Sequence, residues 1–181
     1  MKFAEEKTNM PAMNAVIVTL GTGIGGGIVM GGQLQRGANG FAGEIGHMVV
    51  QHNGELCVCG RRGCWERYAS GSALRMLSGG MSGEEVFAAA NSGDSHAQSV
   101  VATFADWVAV GLASLTNICD PEVIVIGGGV VQSFEFVLDS VSQSFAAALY
   151  SSESRPHPAL HVAALGERAG AIGCALFMTQ G

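Results

Sequence analysis

The sequence predicts one α/β domain in which helices pack against a mixed β-sheet. Its 181 residues are 48% hydrophobic and 13% charged, a composition that is more apolar than that of a typical globular domain and that favours strands buried on both faces. Strands and a hairpin come first along the chain and strand–helix units follow, which is the order expected of an α/β fold. A chain of this length can form a single domain with a sizeable core.

The first strands are predicted from short apolar runs that end in glycine. Residues Ala15 to Leu20 read as a buried strand that leads into a glycine-rich loop. Gly27–Met30 and Gln33–Arg36 read as two further short strands, because Gly31-Gly32 between them suits the positive φ angles of a tight hairpin turn. Residues 37–66 are rich in loops and hold most of the polar chemistry.

The second half of the chain alternates helices with strands. Helical spacing of apolar residues, together with start and stop signals, predicts the helices. The predicted helices are Ser70–Leu77, Ser82–Asn91, Ser95–Ile118, Ser133–Tyr150 and Gly166–Thr179, and the predicted strands are Glu122–Ile126 and His157–Leu165. Pro121 ends the longest helix, because proline disrupts a helix interior.

Charge and hydropathy argue against several classes of partner. The formal net charge is −6 and the isoelectric point is near 5.2, so the chain lacks the basic face that nucleic acid binding requires. Met1–Met13 includes four charged side chains and lacks the apolar stretch of a secretory signal. No uninterrupted apolar run reaches the roughly 18 residues needed to cross a bilayer. We therefore expect a cytoplasmic protein with neither a nucleic acid nor a membrane partner.

Three of the five cysteines lie close together and predict a metal site. Cys57, Cys59 and Cys64 fall within eight positions, which suits metal ligation in a reducing compartment better than a disulfide framework. A structural zinc ion takes four ligands, and three thiolates with one neutral imidazole form a common set. His47 and His52 are both near enough in sequence to be the fourth ligand, and spacing alone does not choose between them.

Two alternatives to a zinc site at the cysteine cluster are weaker. Burial of free cysteines without a metal conflicts with the polar character of the loop, which has four charged or amide side chains between positions 53 and 62. A zinc-ribbon nucleic-acid module needs a second pair of ligands and does not suit an acidic chain. The two remaining cysteines, Cys119 and Cys174, lie in apolar helical surroundings and are expected to be inert core residues.

Two glycine-rich segments are candidates for nucleotide contacts. The first follows a strand, so its backbone amides and a threonine hydroxyl can turn around a phosphate. The second ends a buried strand just before a helix, which is where α/β sheets place ligands. The candidate residues are Gly21, Thr22, Gly23, Gly25 and Gly26 in the first segment and Gly127, Gly128 and Gly129 in the second. A dinucleotide-binding fingerprint is rejected, because a helix must follow such a loop and this one leads into a hairpin. Plain turns that bind nothing are the alternative for both segments.

The order of these motifs resembles that of the ROK family, which includes bacterial glucokinases, other hexose and N-acetylhexosamine kinases, and sugar-responsive repressors. The segments that carry the resemblance are Leu20–Gly27, Arg36–Ala38, Glu44–His47, Cys57–Ser70, Asn117–Pro121 and Gly127–Val130. They keep the family's order across nearly the whole chain. The cysteine loop, with Trp65-Glu66 and Tyr68–Gly71, looks most like that of actinobacterial-type glucokinases.

The resemblance implies a role for each candidate site. His47 matches the family's zinc-ligating histidine, whose other ring nitrogen faces the sugar. The implied zinc ligands are therefore His47, Cys57, Cys59 and Cys64. Glu44 and Glu66 match the family's sugar-contacting glutamates, and carboxylates accept hydrogen bonds from adjacent hydroxyls. The first glycine segment is implied to approach the phosphates of ATP, which magnesium accompanies, and the second to lie near the nucleoside.

The resemblance also implies a fold and a set of partners. The implied fold is the C-terminal lobe of an actin-like, ribonuclease-H-like ATPase. Glucose or a related hexose and ATP are the implied ligands. Family members are usually dimers or tetramers, so we also expect a homo-oligomer.

The sequence departs from the family pattern in one respect. ROK kinases have an upstream lobe with an Asp-x-Gly-x-Thr phosphate loop and an Asn-Asp pair whose aspartate is the catalytic base, whereas the first aspartate here is Asp94. We therefore expect residues 1–181 to be a single C-terminal lobe without kinase activity by itself, since phosphoryl transfer needs a base that reaches the nucleophile. The alternatives are the effector lobe of a ROK repressor and a non-catalytic, zinc-stabilised sugar-binding or dimerisation module.

Overall fold

At the centre of the computed structural model, which describes residues 13–130 and 135–166, lies a five-stranded sheet with the order β3-β2-β1-β4-β5. The strands are β1 (Ala15–Leu20), β2 (Ile24–Met30), β3 (Gln33–Leu34), β4 (Val123–Gly127) and β5 (Ala159–Val162). β1 pairs antiparallel with β2 and parallel with β4, and β4 pairs parallel with β5. The sheet is therefore mixed, as predicted, and its three parallel strands end at one edge.

β1 and β4 form the buried middle of the sheet. Val16 and Val18 of β1 are fully buried, and they lie beside Ile124 and Ile126 of β4, which are fully buried as well. Because alternate residues of a strand point to the same face, these four side chains share one face of the sheet. That face forms part of the hydrophobic core, together with residues of the long helix described below.

The described helices follow the sheet's first hairpin. They are α1 (Glu66–Ala69), α2 (Gly71–Leu77), α3 (Gly83–Asn91), α4 (Ser95–Cys119) and α5 (Glu135–Ala148), and a short 3₁₀ turn spans Ile45–His47. The Ser70 side chain caps α2, and Ser82 forms a capping box with Glu85 at the start of α3. The Asp94 side chain caps the start of α4. These side chains satisfy backbone N–H groups that would otherwise lack a partner, so the predicted starts of these helices are right to within one residue.

The longest helix, α4, belongs to the core of the fold. By length and composition alone it is long and apolar enough to cross a bilayer. Its apolar face, which includes Phe104, Val108 and Leu112, is fully buried, and the helix packs against α1, α2, α3 and α5. The helix ends at Asp120, whose φ of 43° is left-handed, and Pro121 follows.

The hairpin after β1 begins earlier than predicted. β2 starts at Ile24 rather than Gly27, and the glycines between them pair with β1. Glycine weakens a strand, but a side chain has no room here, because a Cβ on Gly26 would lie 2.3 Å from the Ile45 side chain. The expected long glycine loop is therefore a tight turn at Gly21–Gly23 followed by a strand.

The other predicted strands agree in type and differ at their ends. β3 stops at Leu34 rather than Arg36. β5 is shorter than the predicted His157–Leu165, and two prolines before it, Pro156 and Pro158, lack the N–H group that a strand ladder needs. The short helix α1 begins at the end of the region predicted to be rich in loops and lies just before the helix predicted from Ser70, so it was not predicted.

Two expectations about the end of the chain fall outside the described residues. These are the helix Gly166–Thr179 beyond Gly166 and the core position of Cys174. The start of the helix predicted from Ser133 lies outside the described residues as well. Cys119 packs against the core while only half-buried, and burial raises the pKa of its thiol.

Candidate functional site

The loop of residues 47–64, called the metal loop below, folds back on itself through backbone contacts. Isolated β-bridges join Val49 to Cys64 and Leu56 to Arg62. The turn at Gly63 needs glycine, because its φ is 83° and a Cβ there would lie 1.8 Å from a backbone oxygen of the same loop. These contacts bring the ends of the cysteine run close together.

The metal loop places four potential ligands around one point. One ligand atom from each of His47, Cys57, Cys59 and Cys64 lies within 4.8 Å of the other three, and His52 is not part of this cluster. The Cys59 and Cys64 sulfurs are 3.6 Å apart, and Cys57 Sγ lies 3.8 Å from His47 Nδ1. A tetrahedral zinc ion with bonds of about 2.3 Å to sulfur has ligand–ligand edges of about 3.7 Å. The donor types and their spacing therefore fit zinc.

The thiols of this cluster differ in the direction in which their pKa is shifted. Burial and a hydrogen bond to Glu66 raise the pKa of Cys57 to about 12, and burial also raises the pKa of Cys64. A hydrogen bond from the Arg61 backbone lowers the pKa of Cys59. A coordinated thiol is deprotonated outright, so a metal ion would have to displace protons from Cys57 and Cys64.

The three residues predicted to contact a sugar lie together beside the cluster. His47 Nδ1 faces the thiols, whereas its Nε2 lies 4.0 Å from Glu44 Oε2. Glu66 Oε1 lies 3.0 Å from Cys57 Sγ and 3.8 Å from His47 Nδ1. The Glu44 side chain is 65% exposed and that of His47 38%, so an imidazole edge and a carboxylate face solvent side by side.

The far end of the metal loop is anchored in the core by Trp65. This side chain is fully buried, and its indole N–H donates to the Trp107 carbonyl oxygen at 2.7 Å. It fits against Gly111 of α4, where a Cβ would lie 1.9 Å from the indole ring. Because Trp65 stands between Cys64 and Glu66 in sequence, this contact holds a candidate ligand and a candidate sugar contact at once.

A second candidate site is a cleft of about 650 Å³, called the nucleotide cleft below. Its lining residues are Gly21, Thr22, Gly71, Ser72, Arg75, Ser82, Gly83, Glu84, Phe87, Gly129 and Val130. The first and last pairs of these residues follow β1 and β4, so the cleft lies at the carboxyl ends of adjacent parallel strands. Gly71 N–H donates to the Gly21 oxygen and the Ser72 hydroxyl to the Thr22 oxygen, each at 2.7 Å.

The glycines predicted to contact a nucleotide do not all reach the cleft. Gly21, Thr22 and Gly129 line it. The others, Gly23, Gly25, Gly26, Gly127 and Gly128, are not among its lining residues. Gly25 and Gly26 are residues of β2 paired with β1, Gly127 is the last residue of β4, and Gly128 has a φ of 98° and no space for a Cβ beside the Leu20 backbone. These glycines therefore allow close packing around the cleft.

Sequence reasoning missed the residues that the helices add to the cleft. Ser72 and Arg75 lie three positions apart on α2, and Glu84 and Phe87 have the same spacing on α3. That spacing places each pair on one helix face. This helical spacing is visible in the sequence, but it does not show that the two helix faces turn towards Gly21.

One carboxylate lies between the two candidate sites. Glu66 Oε1 contacts Cys57 Sγ, and Glu66 Oε2 lies 2.8 Å from the position that a Cβ on Gly23 would take. Gly23 belongs to the turn whose first residues line the cleft. Glu66 therefore lies between the metal loop and the turn that borders the cleft.

None of the chain's four aspartates lines the nucleotide cleft. Asp94 caps α4, Asp106 accepts a hydrogen bond from the Ser144 hydroxyl, and Asp120 pairs with Arg155. The fourth, Asp139, lies on α5.

The chain is similar to several known proteins. Residues 2–180 match the family model described as ROK family. The chain is 35% identical to a glucokinase of Streptomyces coelicolor over 90% of this chain and 58% of that protein. It is 32% identical to the xylose repressor of Bacillus subtilis over 88% of this chain and 42% of that protein. A solved ROK family glucokinase from Streptomyces griseus, in complex with glucose and AMPPNP, superposes with a TM-score of 0.89 and 37% identity over 96% of this chain and 63% of that one. The chain thus spans little more than half the length of the curated glucokinase.

Proposed function

The chain belongs to the ROK family, and from that premise we propose that it supplies the sugar-binding and ATP-binding part of an ATP-dependent, glucokinase-like hexose kinase. The observation that carries the proposal is the position of Glu66, which touches both the metal cluster and the turn at the start of the nucleotide cleft. A kinase needs its acceptor hydroxyl beside the terminal phosphate of its donor. Adjacent sugar and nucleotide sites meet that need.

Zinc is proposed to hold the sugar-binding side chains in place. His47, Cys57, Cys59 and Cys64 would ligate it, and their donor types and spacing support this assignment. A metal on Nδ1 fixes the tautomer, because the proton then resides on Nε2. Nε2 faces the Glu44 side, so the imidazole can donate to a sugar hydroxyl there.

The sugar is proposed to be glucose or a related hexose. The carboxylates of Glu44 and Glu66 accept hydrogen bonds from neighbouring hydroxyls, and His47 supplies a donor. Glu66 is the more buried of the two, with 15% of its side chain exposed against 65% for Glu44. A hydrogen bond to a charged, partly buried acceptor is stronger than one at an exposed site, so Glu66 should contribute more to affinity.

The nucleotide is proposed to be ATP with magnesium, bound in the nucleotide cleft. Backbone N–H groups at the Gly21–Gly23 turn and the Thr22 hydroxyl are suited to phosphate. Gly129 and Val130 leave space for the nucleoside at the end of β4. Phosphoryl transfer also needs a base beside the accepting hydroxyl, and no aspartate of this chain lines the cleft. We therefore expect the 181-residue chain to bind both ligands without turning them over.

Isothermal titration calorimetry of the zinc-loaded chain tests this function. We expect saturable binding of glucose and of magnesium-ATP, and no glucose 6-phosphate in a coupled assay. Galactose, which differs from glucose in one hydroxyl orientation, is the matched control ligand. Binding of neither glucose nor ATP would contradict the proposal, and rapid glucose phosphorylation would contradict the expectation that the chain binds both ligands without turning them over.

A sugar-sensing effector lobe is the second candidate function. The 32% identity to a xylose repressor favours it, since such a lobe needs sugar binding without phosphoryl transfer. The two candidates differ in their prediction for the nucleotide cleft. Sugar binding with no ATP binding in the same titration would favour the repressor. A non-catalytic, zinc-stabilised module that serves dimerisation, which is part of the third expectation from sequence, would bind neither ligand.

We also propose a cytoplasmic, homo-oligomeric protein. Zinc-ligating thiols need a reducing compartment, and ATP is supplied in the cytoplasm. Homo-oligomerisation rests on the family resemblance, and sedimentation of the purified chain would measure it.

A further inference from the structure

The outer wall of the nucleotide cleft is formed by two short helices. Arg75 projects from α2 on the same face as Ser72, and Glu84 lies with Phe87 on one face of α3. Phe87 lines the cleft from the hydrophobic core and is 6% exposed, whereas Arg75 and Glu84 are exposed. This wall therefore combines one apolar, one cationic and one anionic group.

The two charged side chains of this wall are unused by the fold. Neither the Arg75 guanidinium nor the Glu84 carboxylate makes a hydrogen bond or ion pair with the part of the chain that the structure describes. The neighbouring Glu85 differs, because it closes the capping box with Ser82. The hydrogen bonds with Ser82 lower the pKa of Glu85, and the Arg75 charge makes a smaller contribution in the same direction. Glu84 has no such structural task.

Charge decides which part of a nucleotide can lie beside Glu84. A carboxylate repels the phosphates, so a triphosphate must lie away from it. The Thr22 turn and Arg75 are the cleft groups suited to phosphate. Glu84 must then face the nucleoside end, where only hydroxyls and base edges can donate hydrogen bonds.

We propose that Glu84 binds the ribose hydroxyls and makes the site select ribonucleotides over 2′-deoxyribonucleotides. This inference rests on the proposed ATP-binding function of the same cleft. An ionised carboxylate has two oxygens that accept hydrogen bonds and no donor, so it matches the two adjacent hydroxyls of a ribose. Phe87, one helical turn away, fixes this face of α3 in the core. A deoxyribose leaves one carboxylate oxygen without its partner and loses a charge-assisted hydrogen bond.

The test compares magnesium-ATP with magnesium-2′-deoxyATP by isothermal titration calorimetry. We expect the unaltered chain to bind ATP about tenfold more tightly, which corresponds to the loss of one hydrogen bond to a charged group. Glu84→Ala should weaken binding of both nucleotides, and should weaken ATP binding about tenfold more than deoxyATP binding, so that the preference disappears. Glu85→Gln is the matched control, because glutamine retains the capping box while the charge is lost beside the cleft. It should keep the preference.

Each outcome bears on the proposal. Equal affinity of the unaltered chain for the two nucleotides overturns it, and so does a preference that survives Glu84→Ala. Loss of the preference in Glu85→Gln as well would overturn it in favour of a general charge effect. If the unaltered chain binds neither nucleotide while it still binds glucose, the proposed ATP site itself is wrong and this inference falls with it.

Discussion

The metal loop takes its four candidate ligands from 18 consecutive residues, 47–64, whereas the nucleotide cleft takes its lining from four separate segments. The tip of the loop buries little apolar surface, since Val58 is 92% and Leu56 56% exposed. The cleft is walled by capped helices and by the ends of buried strands. The loop should therefore depend on a bound ion for its structure, and the cleft should depend on the common core.

The largest effect that would separate the two regions is loss of a metal ligand. Cys59→Ser should release zinc, because binding energy at a structural site is also folding energy. A loss of roughly 3 kcal/mol would lower the melting temperature by about 10 °C for a chain of this size. Glucose binding should be lost, while ATP binding should stay within about twofold. Elemental analysis, calorimetry and the two titrations measure these effects.

Cys119→Ser is the matched control for that variant. Cys119 is half-buried in α4 and is not a member of the cluster. It should retain zinc and glucose binding. Unchanged metal content and melting in Cys59→Ser would remove the zinc assignment, and loss of ATP binding in that variant would show that the two regions are not independent.

A second effect on the same loop is the pH dependence of its metal affinity. The pKa values of Cys57 and Cys64 lie above the ordinary thiol value, so both are protonated at neutral pH and a metal must displace two protons. Zinc affinity should then fall as pH falls, by about a hundredfold or more for each unit between pH 8 and pH 7. Competition with a chromophoric chelator at the two pH values measures this slope. A pH-independent affinity would mean that these thiols are not ligands.

The contrast between the regions also explains what the sequence could predict. The metal loop could be predicted because Cys57, Cys59 and Cys64 are close together in sequence. Their spacing alone did not identify the fourth ligand. The family resemblance chose His47, and the cluster geometry agrees with that choice. The order of strands and helices could be predicted from apolar runs and from helix-capping residues. Each of these features spans only a few residues of sequence.

The nucleotide cleft was only half predictable because its geometry is tertiary. Of the predicted residues, Gly21, Thr22 and Gly129 line the cleft, and each follows a recognisable strand. Gly25 and Gly26 were assigned to the same loop, although their lack of a side chain serves the packing of β2 against Thr19 and Ile45. Glycine patterns do not tell a phosphate turn from a close backbone approach. The helix residues that complete the wall become neighbours of Gly21 only when α2 and α3 pack onto the sheet.

The smallest effect is expected from removal of one positive charge from the cleft. It is also the sharpest test of whether the two regions are independent. Arg75 carries the positive charge among the described lining residues. Arg75→Gln should therefore weaken ATP binding by about fivefold to tenfold. It should leave adenosine binding unchanged, because adenosine has no phosphate. Arg61→Gln makes the same change in net charge on the exposed metal loop and should leave ATP binding unaltered. Titration of both variants at low and physiological salt separates a local contact from long-range attraction, since screening weakens the latter. Equal losses in the two variants would show that net charge acts rather than a contact with Arg75, and equal losses for ATP and adenosine would place Arg75 away from the phosphates.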